Sequence, residues 1–157
     1  MVFVKKNLNT ASFRKKEITT DGYEMQFQVN VLSYYALMIG FAEVLKANSP
    51  GSRIINVASN YAGDYNFDDL QFSRRNYDSN SAYRQSKQAD RMLTWAAVED
   101  ELFRNSGVTI NACHPGVVTS HLLASLGMQT GFDKPSRGAE TPLYLACSPD
   151  LRSTTGR

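Results

Sequence analysis

Apolar residues recur at helical spacing in the first third of the chain. Steps of three and four residues predict one long amphipathic helix that opens at Thr20-Asp21-Gly22, with a stripe made of Phe27, Val31, Tyr34, Met38, Phe41 and Leu45. The helix is expected to stop at Asn48-Ser49-Pro50-Gly51, because proline and glycine break helices. Residues 1–19 have no clear period and are polar and basic, which predicts an irregular arm.

The middle of the chain alternates between strand and helix patterns. Residues 53–58 and 108–113 are short runs rich in β-branched side chains, which predict two buried strands. Between them, residues 60–80 predict a long surface loop and residues 81–104 a second helix, ended by Asn105-Ser106-Gly107. Shorter helices are expected near 119–127 and 136–147.

This alternation is typical of crossover units on a parallel sheet. The expected fold class is α/β, a doubly wound parallel sheet (Rossmann-like). Two strands are too few for such a sheet, so the sequence is expected to hold only its C-terminal portion, with residues 1–157 forming one partial domain. The strand at 53–58 would then have an unpaired edge, which is an aggregation liability.

Composition excludes some classes of function. The net charge of +2 and the absence of a long basic run give no basis for a nucleic-acid partner. No apolar run approaches the length that crosses a membrane, so no membrane span is expected in this chain. Cys113 and Cys147 lie in apolar contexts without metal-ligand spacing, which predicts buried thiols in a reducing compartment. A cytoplasmic location is expected, with a membrane anchor outside the printed sequence left open.

A candidate for acid–base chemistry lies early in the second helix. Tyr83 and Lys87 are four residues apart, so they share one helix face. An ammonium near a phenol stabilises the phenolate and lowers its pKa, which suits a general acid or base. Ser59 follows the first predicted strand and Pro115-Gly116 the second, and ligands of such sheets bind beyond the carboxyl ends of the strands. Asn30, on the earlier helix, lies one position off the apolar stripe.

Other polar residues give weaker indications. His114 and His121 have no evident partner, and His114 is interpreted as structural. The surface loop contains tyrosines that either line a substrate mouth or are simply exposed, namely Tyr61, Tyr65 and Tyr77. Its carboxylates are interpreted as a solvated group rather than a metal site, namely Asp64, Asp68 and Asp69. No metal is therefore expected.

Taken in order, these motifs resemble the short-chain dehydrogenase/reductase family. The resemblance runs from about residue 20 to 156 and rests on Asn30, Ser59 after Ile-Ile-Asn-Val-Ala, Tyr83-x-x-x-Lys87 and Pro115-Gly116-Val117-Val118-Thr119-Ser120. Within the family the chain looks closest to the retinol-dehydrogenase and WW-domain-oxidoreductase group. The features behind this are Thr20-Asp21-Gly22-Tyr23-Glu24, the 24-residue step from Ser59 to Tyr83, and His114-Pro115-Gly116-Val117-Val118.

The resemblance implies a role for each motif. Tyr83 would be the general acid or base, and Ser59 would hydrogen-bond the substrate oxygen. Lys87 would lower the Tyr83 pKa and hold the nicotinamide ribose, and Asn30 would position a water that passes protons to Lys87. The nicotinamide amide would lie against Pro115, Gly116, Val117, Val118 and Ser120, with Tyr83 and Lys87 also touching the cofactor.

The resemblance also implies partners. The cofactor would be NAD(P), with NADP favoured over NAD, and the substrate a small hydrophobic carbonyl compound or alcohol. A homodimer or homotetramer is expected through the helices at 22–47 and 81–104. The glycine-rich turn G-x-x-x-G-x-G that opens the family's fold does not occur in the sequence. The chain is therefore expected to be truncated relative to the family and, by itself, to bind NAD(P)H weakly or not at all.

Two alternatives stay open. One is a non-catalytic, truncated family member that acts as an interaction or dimerisation subunit. The other is an extended-type epimerase or dehydratase, which shares the tyrosine–lysine pair. The corner at Pro115-Gly116-Val117-Val118 argues against the latter.

Overall fold

Helices and strands alternate along residues 12–157, the part of the chain described by this computed structural model. In chain order they are α1 (Met25–Phe27), a π-helical segment (Gln28–Leu32), α2 (Ser33–Gly40), α3 (Ala42–Ala47), β1 (Arg53–Val57), α4 (Ser79–Glu99), β2 (Thr109–Cys113), α5 (His121–Ser125), α6 (Pro135–Gly138), α7 (Glu140–Cys147) and a 3₁₀ turn (Pro149–Leu151). Of the predicted arm at 1–19, residues 1–11 lie outside the described residues. Residues 12–19 contain no helix and one isolated bridge, between Ile18 and Glu24.

The sheet is parallel, as the sequence predicted. β1 and β2 pair in register from Arg53 opposite Thr109 to Val57 opposite Cys113, with α4 crossing between them. Residues 154–157 then run along the other edge of β2, where the Gly156 amide donates to the Ile110 carbonyl at 2.8 Å. The α/β class with a parallel sheet is confirmed, and β1 and β2 end at one common edge.

The core lies between the sheet and the helices. Its buried side chains come from α2, α3, both strands, the end of α4 and the segment between α4 and β2, and they are Met38, Ala42, Leu45, Ile54, Ala97, Phe103, Val108 and Ile110. A buried polar contact crosses it, in which the Asn56 side-chain amide donates to the Thr94 hydroxyl at 2.8 Å. This bond satisfies a donor that burial would otherwise leave unpaired, and it fixes α4 against β1.

The first predicted helix is interrupted rather than continuous. It begins at Met25, because the Glu24 carboxylate caps it by accepting from the Gln26 and Phe27 amides. The π-helical segment contains Asn30, which is completely buried, and π turns are frequent at functional sites. Phe41 lies between α2 and α3 and is 38% exposed, so its predicted place in the buried stripe was wrong.

The second helix is displaced towards its N-terminus relative to the prediction. It starts at Ser79, where the Asp78 carboxylate caps it by accepting from the Ser81 amide, and it ends at Glu99 instead of Arg104. Asp100 has extended backbone, and its carboxylate accepts from the Leu102 amide, so the residues that follow form turns.

Two predictions about burial were wrong. Cys147 is exposed and only Cys113 is partly buried, because the α7 face that carries Cys147 points outward; both thiols are free. Asp69 is buried instead of solvated, because its carboxylate accepts hydrogen bonds from the amides of Ser73, Arg74 and Arg75.

Residues 12–157 contain neither a metal-binding cluster nor a membrane-spanning helix. Within that range no cluster of His, Cys, Asp and Glu side chains has a geometry that would hold a metal ion. None of the helices described there combines the length and apolarity that a membrane crossing requires.

Candidate active site

An open cleft of about 910 Å³ lies at the carboxyl ends of β1 and β2. Its wall includes most of the predicted site residues, namely Ser59, Tyr83, Pro115, Gly116, Val117, Val118 and Ser120. This is the edge at which parallel α/β sheets bind ligands, and the volume suits a small molecule with a cofactor ring beside it.

Tyr83 and Ser59 meet at the base of the cleft. Both residues are buried in the wall of the cleft, and Ser59 is the hydrogen-bonding neighbour that lowers the Tyr83 pKa. The Ser59 hydroxyl accepts from the Tyr61 amide at 3.1 Å, so the turn that follows β1 holds it in place. A phenol and an alcohol that are neighbours in this way are suited to bind one substrate oxygen between them.

Lys87 lies one helical turn beyond Tyr83 and is 1% exposed. Its ammonium donates to the Val57 carbonyl at the end of β1 and to the Asp90 carboxylate, both at 2.8 Å. It also lies 5.2 Å from the centre of the Tyr34 ring. The ammonium is thus fixed between β1 and α4.

The pKa of Tyr83 differs in direction from the expectation. Burial is the largest influence and raises this pKa above its usual value, the hydrogen bond to Ser59 lowers it, and the Asp90 carboxylate raises it further. The predicted lowering by Lys87 was therefore wrong for this structure. The main physical reason is the burial of the phenol, to which the Asp90 carboxylate, paired with Lys87, adds.

Asn30 contacts α4 through Ser86, a residue that the sequence did not single out. Its side-chain amide donates to the Ser86 hydroxyl at 3.0 Å, and Ser86 in turn donates to the Tyr83 carbonyl at 2.8 Å. Both side chains are completely buried. Asn30 therefore connects the π-helical segment to the backbone of the helix turn that carries Tyr83. The sequence gives no indication of Ser86, since a helical serine between a glutamine and a lysine is ordinary.

The corner after β2 is held by a neighbouring segment. The Asp133 amide donates to the Val117 carbonyl at 3.1 Å, and the Thr119 amide donates to the Asp133 carbonyl at 3.0 Å. Gly116 has a φ of 93°, and a Cβ added there would lie 2.5 Å from the Asp133 carboxylate, so this position requires glycine.

Ser120 lines the cleft, but its hydroxyl caps α5 by accepting from the Leu123 amide.

The outer wall of the cleft is apolar on one side and aromatic on the other. Four apolar side chains of α5 and the following turn line it, namely Leu122, Leu123, Leu126 and Met128. Opposite them the Tyr61 ring lies 6.4 Å from the Tyr83 ring, with the Arg84 guanidinium 5.2 Å from the Tyr61 ring centre. His114 also lines the cleft, and burial together with Arg91 lowers its pKa, so it is neutral at neutral pH.

The residues present fit the nicotinamide end of a dinucleotide. The cleft floor combines a phenol and a hydroxyl with the backbone of 115–118, and its far side is formed by Gly138 and Ala139. A Cβ at Gly138 would lie 2.5 Å from the Val118 side chain, so the close packing of α6 against the corner depends on this small residue.

Comparison with known proteins identifies the class. The chain belongs to the short chain dehydrogenase family, whose profile matches residues 8–130. Within that family it belongs to the retinol-dehydrogenase-like group. It is 36% identical to retinol dehydrogenase 13 of Mus musculus over 95% of its length and 37% identical to retinol dehydrogenase 14 of Homo sapiens over 88%. It is also 34% identical to polyprenol dehydrogenase of Danio rerio over 88% of its length.

The chain spans about half the length of the curated relatives it matches, 49% of the first and 44% of the second. Solved structures agree on the fold. An uncharacterised protein from Mycobacterium paratuberculosis superposes with a TM-score of 0.64 at 27% identity, over 89% of this chain and 48% of that one. A 7α-hydroxysteroid dehydrogenase complexed with NADH superposes with a TM-score of 0.63 at 18% identity, over 94% and 56% of the two chains.

Proposed function

We propose that the protein is an NAD(P)-dependent oxidoreductase that transfers hydride between a nicotinamide cofactor and a carbonyl or alcohol group. The observation that carries this proposal is the position of Tyr83 and Ser59, two buried hydroxyl side chains that line the same cleft at the carboxyl end of β1. Family membership supports it, because it gives the pair a chemical context that a lone tyrosine–serine contact lacks.

Tyr83 is the general acid or base, and Ser59 is the second hydrogen-bonding partner of the substrate oxygen. In carbonyl reduction the Tyr83 hydroxyl gives its proton to that oxygen while Ser59 stabilises the developing negative charge. In alcohol oxidation the same proton moves in the opposite direction. Asn30 acts through Ser86 by fixing the helix turn that carries Tyr83.

The cofactor would be held by Lys87, Ser120 and the backbone of 115–118. Bound there, the nicotinamide supplies or accepts the hydride. The apolar wall formed by α5 and the turn after it suits a hydrophobic substrate, as in a retinol-dehydrogenase-like enzyme.

The test begins with protein isolated from its natural source. Its intact mass is measured beside the calculated 17.5 kDa, and turnover is followed by NADH and NADPH absorbance with a panel of hydrophobic aldehydes, ketones and alcohols. Tyr83→Phe is expected to lower kcat by about 10²- to 10⁴-fold, the range for loss of a general acid.

The matched control is Tyr144→Phe, which removes a hydroxyl from an exposed tyrosine on α7. It is expected to leave kcat unchanged. Equal turnover by wild type and Tyr83→Phe, or no binding of either reduced cofactor by the native protein, contradicts the proposal.

A second candidate function is supported by an exposed apolar face on α2 and α3. Large apolar side chains along it are 37% to 46% exposed and follow one another at steps of four and three residues, namely Leu37, Phe41 and Val44. Contiguous apolar surface of this kind is typical of interfaces. We propose that this face pairs with a second copy of the chain. Light scattering of the purified protein would show a dimer or tetramer that Leu37→Glu converts to a monomer, and a wild-type monomer contradicts this.

A further inference from the structure

Asp90 is a buried carboxylate that the proposed roles do not use. It lies on α4 three residues beyond Lys87, and its side chain is 0% exposed, against 1% for Lys87. The two charged groups are 2.8 Å apart. A charge buried to this extent is stable only beside its counter-charge, so the pair behaves as one unit.

The partners of Lys87 determine the direction in which its ammonium points. An ammonium has three N–H donors, and two of these go to the Val57 carbonyl and to Asp90. Both acceptors lie towards the sheet and the later part of the helix. Asp90 therefore sets the position of the cation as well as balancing its charge.

Tyr83 lies on the same helix face one turn before Lys87. Other titratable or charged groups approach this region from each element packed there, namely Tyr34 on α2, Tyr61 after β1, Cys113 at the end of β2, His114 after it, His121 at the start of α5, and Lys87, Asp90 and Arg91 on α4. Ser59 lowers the Tyr83 pKa as its hydrogen-bonding neighbour, and Arg91 donates to the Ser59 carbonyl. His114 is neutral at neutral pH, because burial lowers its pKa.

We propose that Asp90 is a positioning residue of this site, which holds the Lys87 ammonium at the end of β1 and offsets its charge, so that Tyr83 acts mainly as the proton donor to a substrate carbonyl. This inference rests on the proposed function, because it assigns a preferred direction to the same reaction. Burial and the Asp90 carboxylate both raise the pKa of Tyr83, which agrees with a tyrosine that keeps its proton.

The proton balance of the step is simple. The Tyr83 O–H bond breaks as an O–H bond forms on the substrate oxygen, and the electron pair that reduces the carbonyl carbon comes with the hydride from the reduced nicotinamide. Tyr83 is left as a phenolate and recovers a proton from solvent. The reverse direction needs a phenolate before the alcohol binds, which the Lys87–Asp90 pair disfavours.

The experiment measures the ionisation of Tyr83 directly and needs no turnover. The protein is labelled with ¹³C at tyrosine Cζ, the Tyr83 resonance is assigned with Tyr83→Phe, and its chemical shift is followed against pH. In wild type the Tyr83 midpoint is expected above that of the exposed Tyr144. Asp90→Asn keeps the shape of the side chain but removes its charge, and it is expected to shift the Tyr83 midpoint downward.

Glu99→Gln is the matched control, because it removes one carboxylate from the exposed end of the same helix. It is expected to leave the Tyr83 midpoint unchanged. Asp90→Ser carries the same prediction as Asp90→Asn if the asparagine variant does not fold. A wild-type midpoint at or below that of Tyr144 overturns the proposal, and so does an unshifted or raised midpoint in a folded Asp90 variant.

Activity gives a second readout. In Asp90→Asn the limb of the pH profile on which alcohol oxidation rises with pH is expected to move to lower pH, and the ratio of oxidation to reduction at neutral pH to rise. If Tyr83→Phe leaves turnover intact, the proposed function fails whatever the titration shows. If Tyr83→Phe abolishes turnover while the titration shows no effect of Asp90, only the present inference fails.

Discussion

The guanidinium of Arg91 donates a hydrogen bond of 2.6 Å to the backbone carbonyl of Ser59. Arg91 lies two turns beyond Tyr83 on α4, so the helix that supplies the tyrosine also fixes the backbone of its serine partner. Arg91, Trp95 and Cys113 line a smaller cavity of about 250 Å³ that borders the cleft at Ser59. Arg91 does not line the cleft itself, so we expect it to hold Ser59 in place without touching a substrate there.

Replacing Arg91 should weaken catalysis without removing the chemistry. Arg91→Met keeps most of the apolar stem but loses the hydrogen bond, and a bond from a charged donor is worth about 1.5 kcal/mol or more. We expect kcat to fall about tenfold with little change in cofactor KM, because Ser59 loses its fixed position. Steady-state kinetics test this, and Arg91→Lys should recover part of the loss. An unchanged kcat in Arg91→Met would contradict a supporting role.

Arg84 stabilises the aromatic side of the cleft, which is formed by Tyr61. Its guanidinium forms a 2.6 Å ion pair with Asp64, and its carbonyl accepts from the Gly63 amide at 3.1 Å. Both side chains are partly exposed, so the pair is worth less than about 1 kcal/mol. Arg84→Met is expected to release Tyr61 and raise KM for a bulky substrate about threefold at constant kcat. Asp64→Asn should give the same change, and a fall in kcat alone would argue against this role.

The sequence predicts the framework of this site better than its electrostatics. The β-branched runs gave β1 and β2 nearly at their observed bounds, because buried parallel strands depend on local composition. The burial of Asp90 and Asp69 was not predictable in this way. A carboxylate beside a lysine or in an Asp-rich loop usually faces water, and only tertiary packing shows that each is enclosed by donors.

The interruption of the first helix also could not be predicted from the spacing of apolar residues. Its apolar stripe is nearly regular, yet the Glu24 cap, the π-helical segment and the break at Phe41 redistribute which side chains are buried. These features depend on contacts with α4 and β1, such as the bond from Asn30 to Ser86. A periodicity argument assumes a straight helix and therefore cannot locate them.

The Asp69 carboxylate makes the free energy of unfolding depend on pH in the acid range. Burial alone would raise its pKa, but hydrogen bonds from the amides of Ser73, Arg74 and Arg75, with the Arg75 charge, hold it below the ordinary value near 3.8. A carboxyl whose pKa is lower in the folded state stabilises the fold above its ordinary pKa, and this contribution is lost as pH falls through the folded value. Urea midpoints between pH 7 and pH 3 should therefore fall less steeply in Asp69→Asn than in wild type.

The control for that experiment is the adjacent carboxylate, Asp68, which is exposed. Asp68→Asn should keep the wild-type pH dependence. Parallel curves for wild type and Asp69→Asn would show that the loop carboxylate contributes no acid sensitivity.

Arg53 joins the start of β1 to the end of α7. Its guanidinium donates to the Leu145 and Ser148 carbonyls, both at 2.7 Å. Arg53→Met is expected to lower the free energy of unfolding by about 2 kcal/mol, because two backbone acceptors lose a charged donor. Chemical denaturation measures this, with the exposed Arg152→Met as the control expected to stay within about 0.5 kcal/mol of wild type. A loss no larger than that of the control would contradict the assignment.

Gly131 allows its own backbone to pack closely against the backbone of residues 117–119 beside the cleft. A Cβ there would collide with the Val117 carbonyl and the Thr119 amide, which are backbone atoms that cannot swing away. Gly131→Ala should therefore destabilise the fold by about 1–3 kcal/mol and displace the corner at 115–118, which thermal unfolding and NMR shifts of that corner would show. Gly40→Ala meets open space within a helix, so it should be neutral or slightly stabilising. Wild-type stability in Gly131→Ala would exclude the collision.

The parallel pairing of β1 with β2 also has a kinetic consequence. Arg53 pairs with Thr109 only after the whole segment between them, including α4, has folded back along β1. Closing a segment of this length costs conformational entropy, and this cost arises before the strand contacts that offset it are formed. Helix α4 is local and forms within about a microsecond, far faster than a pairing that is distant along the chain. Since the residues after β1 and β2 complete the cleft, we expect the cleft to form only after the two strands have paired. A formed cleft would thus indicate that a molecule has finished folding.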